Sequence, residues 1–217
     1  MNHNGVMYNL FAIGDIHGCF EKLKMLIGKM DINFKTDLLI FLGDYIDRGP
    51  CSYEVVDYLI ELKKQQENII FLKGNHEEMF ENYLAGVDRF AYLSNGGRQT
   101  IDSYARHGYK PGKDFIPKEH MEFFKNLDLF YETDNYIFVH AGLKEKKALA
   151  DQSQDDLLWI RQKFIKSKHN FGKQIVFGHT PLASPLVQSN KIGIDTGAVY
   201  GNSLTCVKLP DLIFYHA

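Results

Sequence analysis

Five short apolar stretches of the chain are each followed by aspartate, asparagine or histidine, the side chains that bind metal ions and transfer protons. The segments are GDIHG at 14–18, GDYIDRG at 43–49, GNHE at 74–77, HAG at 140–142 and GHTP at 178–181. Carboxylate, amide and imidazole ligands without a thiolate suit Mn²⁺, iron or Zn²⁺ better than a soft metal. Any one of these segments alone is more often a turn than a metal site, but five in succession predict a shared site.

The apolar stretches themselves predict the strands that must position these side chains. They cover 10–13, 38–42, 69–72, 136–139 and 174–177. Apolar residues at helical spacing predict helices at 19–30 and 53–62, between the first three strands. This alternation predicts an α/β fold with neighbouring parallel strands. Because ligands of such sheets bind outside the carboxyl ends of the strands, we expect the five segments to meet at one rim.

The pattern changes after residue 76. Segments 77–86, 98–107 and 117–127 predict helices, and Asn95-Gly96-Gly97 separates the first two of them. We therefore expect a helical insert over about 77–128, close to the site. The last third of the chain predicts strands and tight turns, and no linker-like composition divides the sequence. We expect one domain, 1–217.

Composition and charge exclude several classes of function. Of the 217 residues, 45% are hydrophobic and the net charge is -2, which predicts a globular core and no basic surface for nucleic acid. Three cysteines (Cys19, Cys51, Cys206) without a C-x-x-C pair argue against a disulfide framework and fit a reducing compartment. No apolar stretch is long enough for a membrane span, and no secretion signal is evident. We expect a cytoplasmic protein without a membrane partner.

The five segments together resemble the metallophosphoesterases, and within them the phosphoprotein-phosphatase family, from residue 10 to about residue 201. Arg48-Gly49 after GDYID and Thr180-Pro181 after His179 distinguish the chain from nuclease-like relatives. The resemblance implies the calcineurin-like metallophosphoesterase fold, a central β-sandwich flanked by helices. It also implies two divalent metal ions, with Mn²⁺ as the first choice and iron or Zn²⁺ as alternatives.

The resemblance assigns ligands to both metal ions. One ion would be bound by Asp15, His17 and Asp44, and the other by Asp44, Asn75, His140 and His179. Asp44 would bridge the two ions. Hydrolysis would then proceed by direct attack of a metal-bridging hydroxide on phosphorus, so that no side-chain nucleophile is needed.

The resemblance also assigns residues to proton transfer and substrate binding. His76 would be the general acid and Asp47 its hydrogen-bond partner, while Arg48, Arg161 and Asn75 would contact the substrate phosphate. A surface ion pair is the alternative for His76 and Asp47. An exposed helix charge is the alternative for Arg161, which follows Leu157-Leu158-Trp159-Ile160. Asp195-Thr196-Gly197 and Tyr200 are candidates for contacts only.

Three functions stay open at this level. The first choice is a phosphatase for phosphoserine and phosphothreonine in proteins, with phosphotyrosine as a further option, because the short chain resembles compact bacterial and phage-type enzymes. The alternative is a symmetrical diadenosine tetraphosphate hydrolase, a class that shares the five segments and an ending similar to IDTGAVYG at 194–201. An inactive phosphoprotein-binding module is disfavoured because no expected ligand, acid or arginine is missing. The sequence carries no signal for oligomeric state.

Overall fold

The computed structural model describes residues 8–112 and 115–217, so residues 1–7 and 113–114 of the predicted domain lie outside the described residues. The strands are β1 Leu10–Ile13, β2 Leu38–Phe41, β3 Ile69–Phe71, β4 Phe130–Glu132, β5 Tyr136–Val139, β6 Gln174–Phe177, β7 Leu186–Gln188, β8 Lys191–Gly193, β9 Thr205–Leu209 and β10 Ile213–His216. The helices are α1 Phe20–Lys29, α2 Ser52–Gln65, α3 Asn75–Leu84, α4 Arg89–Tyr92, α5 Arg98–Arg106, α6 Lys118–Lys125, α7 Gln154–Trp159 and α8 Gln162–Ile165.

The strands form two five-stranded sheets. The first sheet has the order β10-β9-β1-β2-β3, in which β1, β2 and β3 are parallel and β9 is antiparallel to β1. The second sheet has the order β4-β5-β6-β8-β7, with β5, β6 and β8 parallel. Each sheet therefore contains three parallel strands whose carboxyl ends lie at one edge.

The two sheets pack face to face, and helices cover their outer faces. Leu10 and Ala12 of β1 belong to a buried cluster that includes Val176 of β6, whereas Phe11 and Ile13 pack with apolar residues of α1 and α2. This alternation follows from the two-residue period of a strand. A third cluster places α7 and α8 against the outer face of the second sheet. The predicted sandwich flanked by helices is confirmed.

The structure differs from the sequence-based expectation in two respects. The five predicted strands belong to two sheets, because β9 and β10 complete the first sheet and the last two motif strands, β5 and β6, form the second. The helices expected within 77–128 are present as α3, α5 and α6, but α4, α7 and α8 were not predicted. These three helices span four to six residues, which is too short for an apolar period to be recognised. Within the two described ranges, no helix combines the length and apolar character needed to cross a bilayer.

Candidate metal centre

Six acidic, amide and imidazole side chains converge where the carboxyl ends of the two sheets meet. Asp15, Asp44 and Asn75 follow β1, β2 and β3, while His140, His179 and Asp195 follow β5, β6 and β8. The backbone N–H of His179 donates to both carboxylate oxygens of Asp15 at 3.1 Å, which joins the two sheets at this edge. All six side chains are buried. The five strand-end residues predicted from the sequence are thus neighbours, and Asp195 is added to them.

Asp44 lies at the centre of this cluster. Its Oδ2 is 3.4 Å from Nε2 of His17, and its Oδ1 is 3.5 Å from Nε2 of His140. Nε2 of His140 is also 3.0 Å from Oδ1 of Asn75 and 3.2 Å from Nδ1 of His179. The ligand-type atoms of both sheets therefore surround one carboxylate.

Two groups of three side chains have the spacing of a metal site. The ligand atoms of His17, Asp44 and His76 lie within 4.8 Å of one another, as do those of Asp44, His140 and His179. Asp44 belongs to both groups, and it is the residue that the family resemblance would place between two ions. The first group contains His76, however, where the prediction has Asp15.

Backbone carbonyl groups hold the rings of His17 and His140 so that one nitrogen of each ring faces the cluster. Nδ1 of His17 is 2.8 Å from the carbonyl oxygen of Ile46, and Nδ1 of His140 is 2.8 Å from that of Leu42. When Nδ1 donates to a carbonyl, Nε2 is left as a lone-pair donor for a cation. Nε2 of His179 is buried without a partner among the described residues. This donor set fits a pair of divalent cations.

The protonation states also suit cation binding. Burial lowers the pKa of His17 to about 3 and, together with His140, that of His179 to about 2. Burial raises the pKa of Asp44, but the surrounding imidazoles outweigh this effect and hold it below its usual range. At neutral pH the imidazoles of His17, His140 and His179 are therefore neutral and Asp44 is ionised, which are the forms that bind metals.

Three carboxylates concentrate negative charge at the site. Burial, Asp195 and Asp44 together raise the pKa of Asp15. Burial likewise raises the pKa of Asp195 to about 6, although its Oδ1 accepts the N–H of Gly197 at 2.9 Å. A bound cation would relieve the repulsion between these carboxylates.

The backbone is strained at the residues that carry the site. Eight described non-glycine residues have positive φ, and five of them are site residues with φ between 46° and 71°. They are His17, Asp44, Asp47, Arg48 and His179. Such conformations are unfavourable for residues with a Cβ and persist where the surroundings impose them, commonly at functional sites.

His76 and Asp47 form a buried pair beside the cluster. Nδ1 of His76 is 2.7 Å from Oδ2 of Asp47, and both side chains are fully buried, so the alternative of a surface ion pair is wrong. Oδ1 of Asp47 accepts hydrogen bonds from the Tyr92 hydroxyl at 2.7 Å and the Thr100 hydroxyl at 2.6 Å. Nε2 of His76 is buried without a partner in the described residues. Tyr92 and Thr100 come from the helical insert, and no pattern in the sequence identified them.

Glu77 organises the loop that carries Asp44. Its carboxylate accepts the N–H groups of Asp44, Tyr45 and Gly74, each at 2.9 Å. Burial and Asp44 raise the pKa of Glu77, but the three N–H donors favour the carboxylate form, in which both oxygens accept. Glu77 is part of the predicted segment 74–77, but no sequence pattern assigns a role to it.

We expect Glu77→Gln to lower the free energy of unfolding by about 2–4 kcal/mol, because the amide places an NH₂ group where only acceptors fit. Glu81→Gln is the matched control one turn along α3, where the carboxylate pairs with Lys73 and is partly exposed. This control should cost about 1 kcal/mol or less. Urea titration of both variants measures the difference, and equal losses would contradict the role of Glu77.

Of the two predicted arginines, Arg48 contacts the cluster directly. Its guanidinium contacts Nε2 of His17 and lies 5.9 Å from the ring of Tyr200. Arg161 is exposed at the start of α8. Trp159, two residues before Arg161, lies edge-on to His179 with 6.3 Å between the ring centroids, so this segment lies next to the cluster.

The Asn95-Gly96-Gly97 segment both interrupts the helices and contacts Arg48. It lies at a kink between α4 and α5, Leu93–Gly97, where Gly96 has a non-helical φ of 100°. The Gly96 carbonyl accepts the N–H of Arg48 at 3.0 Å. A Cβ on Gly96 would lie 2.7 Å from Cγ of Arg48. The segment therefore separates the helices, as the sequence predicts, and also packs against Arg48.

We expect Gly96→Ala to lower the free energy of unfolding by about 2–4 kcal/mol, from left-handed strain and overlap with Arg48. Gly108→Ala is the control, because Gly108 has a φ of 88° but no atom within 4 Å of an added Cβ. It should cost only about 1–2 kcal/mol. Thermal and urea unfolding give both values, and equal losses would show that the contact with Arg48 contributes nothing.

Known families and curated proteins match this chain along most of its length. The family model described as calcineurin-like phosphoesterase matches residues 8–214. The asymmetrical bis(5'-nucleosyl)-tetraphosphatase PrpE of Anoxybacillus flavithermus is 30% identical over 226 residues, which cover 92% of this chain and 90% of the relative.

Solved structures share the fold. A proposed diadenosine tetraphosphatase superposes with a TM-score of 0.77 at 21% identity, covering 98% of this chain and 94% of its own. A cold-active protein tyrosine phosphatase superposes with a TM-score of 0.73 at 15% identity, covering 94% of this chain and 74% of its own. At these identities the similarity establishes the fold and leaves the substrate open.

Proposed function

The chain belongs to the calcineurin-like phosphoesterase family, and we propose that it is a two-metal hydrolase of dinucleoside tetraphosphates. The observation that carries this proposal is the 30% identity to a bis(5'-nucleosyl)-tetraphosphatase along nearly the whole of both chains. Chain length had favoured a protein phosphatase. That argument fails, because this relative is matched over 90% of its own length and is therefore of similar size. The protein phosphatase prediction is not confirmed.

The name of this relative also bears on the products. It specifies asymmetrical cleavage, whereas the alternative considered from the sequence was a symmetrical hydrolase. We therefore infer that diadenosine tetraphosphate is cleaved to ATP and AMP rather than to two molecules of ADP.

Two divalent cations would be held around Asp44. His17 and Asp15 would complete one site and Asn75, His140 and His179 the other, with Mn²⁺ as the first choice among hard and borderline metals. When bound, such a pair supplies Lewis acidity for the phosphoryl oxygens and lowers the pKa of water. The orientation of the imidazoles and the concentration of carboxylates support this assignment.

The arginines would bind the phosphoryl group. A planar guanidinium can donate two parallel hydrogen bonds to phosphate oxygens, which lysine cannot. Arg48 must leave Nε2 of His17 before that nitrogen can bind a cation, and a phosphate anion offers the guanidinium a new partner. Arg161 would approach the same group from the start of α8.

His76 would donate the proton to the leaving oxygen. Its Nδ1 is held by Asp47, so the unpartnered Nε2 is the nitrogen directed away from that pair. The carboxylate of Asp47 orients the His76 ring, and the hydroxyls of Tyr92 and Thr100 fix that carboxylate in place. These contacts support a general acid rather than a purely structural pair.

The test is a side-by-side measurement of kcat/KM on diadenosine tetraphosphate and on a phosphoserine peptide with added Mn²⁺. We expect a preference of about 100-fold or more for the dinucleotide, since a site built for polar groups discriminates strongly against substrates that lack them. Ion-exchange chromatography should show ATP and AMP in equal amounts. A preference for the phosphopeptide would overturn the proposal, and ADP alone would overturn asymmetrical cleavage. Absence of phosphate release from p-nitrophenyl phosphate would instead favour the inactive binding module.

A further inference from the structure

A cleft of about 780 Å³ opens beside the metal centre, between the loop after β5 and the segment that carries α7 and α8. We call it the lysine cleft after Lys144, Lys146 and Lys163, which line it together with Trp159 and Arg161. One of these residues connects it to the metal centre. The Trp159 ring lies edge-on to that of His179, with 6.3 Å between the ring centroids.

The wall between the cleft and the metal centre is anchored. The indole Nε1 of Trp159 donates to Oε2 of Glu78 at 2.6 Å, and Gln154 donates to Oε1 of the same carboxylate at 2.6 Å. Glu78 lies in α3, the helix that begins with Asn75 and His76. The position of the cleft relative to the proposed acid and metal ligands is therefore fixed by hydrogen bonds.

The cleft presents amines that have no carboxylate partner among the described residues. Lys144, Lys146 and Lys163 are exposed, and none of them is within 4.0 Å of an acidic oxygen in residues 8–112 and 115–217. Asp156, which also lines the cleft, is paired with Lys147 at 2.9 Å. Glu145 and Asp155 are the other acidic residues of the lining, and the four cationic side chains of the cleft outnumber its acidic side chains.

We propose that the lysine cleft binds the phosphate chain of a nucleoside polyphosphate beyond the phosphoryl group held at the metal centre. This inference rests on the proposed function and assigns it a substrate subsite. The volume is within the range of about 300–1,000 Å³ that nucleotide-sized ligands occupy. Several clustered amines attract a chain of phosphates, whereas inorganic phosphate or an aryl phosphate is too small to span both places.

Inhibition of p-nitrophenyl phosphate hydrolysis measures how tightly a ligand binds to this subsite, and it does not require the dinucleotide as substrate. The inhibitors are ATP and inorganic phosphate, at constant free Mn²⁺. The cleft variant carries K144Q, K146Q and K163Q, and the control variant carries K35Q, K166Q and K168Q, three exposed lysines outside the cleft.

We expect the inhibition constant of ATP to rise about tenfold in the cleft variant and less than about twofold in the control, since each exposed ion pair contributes little but three act together. The inhibition constant of phosphate should change less than about twofold in both. Equal shifts for ATP in the two variants would overturn the proposal as a general charge effect. If the inhibition constant of phosphate rose in the cleft variant by the same factor as that of ATP, the lysines would lie at the metal centre, and the proposal would be overturned.

A second measurement separates this proposal from the proposed function. The KM for diadenosine tetraphosphate should also rise in the cleft variant. Hydrolysis of the dinucleotide with unchanged KM would overturn the cleft and leave the function standing. Lysine-dependent inhibition by ATP, without a preference for the dinucleotide over the phosphopeptide, would overturn the function and leave the cleft standing.

Discussion

Asp44→Asn should lower kcat/KM by about 10³-fold or more, because this carboxylate belongs to both groups of candidate ligands among the described residues. It would therefore bridge the two proposed metal ions, and a two-metal clamp supplies several kcal/mol to the transition state. Its two oxygens face His17 and His140 at 3.4 and 3.5 Å. A neutral amide has only one acceptor oxygen and cannot bridge two cations in the same way. Metal content, measured by mass spectrometry after desalting, should fall from two ions per chain.

Asp47→Asn is the matched control, since it is an equally buried aspartate three residues away. Its carboxylate contacts His76, Tyr92 and Thr100 and no member of the second ligand group. We expect unchanged metal content and a smaller loss of kcat/KM, about 10–100-fold. Two metal ions per chain and near-normal turnover in Asp44→Asn would contradict the site proposed here.

The sequence predicts those site residues that directly follow a recognisable apolar strand. Asp15, Asp44 and His140 each follow an apolar strand within one to three residues, so strand and ligand are visible in the same short segment. Parallel packing then brings their carboxyl ends to one edge without any knowledge of tertiary contacts. The allocation of these strands to two sheets needs pairings between residues far apart in the chain, such as Ala12 with Val207, which no local pattern specifies.

Asp195 illustrates why the remaining site residues are harder to predict. It follows β8, Lys191–Gly193, a strand that contains a fully buried lysine and so lacks the apolar pattern of the others. The Lys191 ammonium donates to the carbonyl oxygens of Phe164 and Ser167 at 2.6 and 2.7 Å, which makes its burial possible. Those acceptors lie more than 20 residues away, so the sequence reads as polar where the structure has a core strand.

The substrate is harder still to infer, because specificity depends on exposed residues. Lys144, Lys146 and Lys163 belong to no motif, and single lysines on a surface are ordinary. Only the cavity between two separate segments gives them a common role. The metal centre by itself would serve any phosphate ester, which explains why the choice between protein and dinucleotide substrates could not be made from the five segments.

His76→Asn should lower kcat on an alkyl phosphate such as a phosphoserine peptide by about 10²–10⁴-fold, the usual contribution of a positioned general acid. Asparagine keeps a polar side chain of similar reach next to Asp47 but cannot supply the proton. The loss should be much smaller on diadenosine tetraphosphate, about tenfold or less, because a nucleoside phosphate is a far weaker base than a serine alkoxide and leaves without full protonation. Turnover of both substrates at saturation measures the two losses.

Metal content decides between the two roles that the geometry allows for His76. One of its ring nitrogens lies within 4.8 Å of a ring nitrogen of His17 and a carboxylate oxygen of Asp44. Distance alone would therefore permit His76 to bind a cation in place of Asp15. If His76 is a general acid, His76→Asn should keep two ions per chain, and its loss of kcat should depend on the leaving group. If His76 is a metal ligand, His76→Asn should hold fewer ions and lose the same factor of kcat on both substrates. In that second case Asp15→Asn should retain its metal. We expect the first outcome, because the backbone N–H of His179 holds the Asp15 carboxylate at the cluster, where it can serve as the ligand in place of His76.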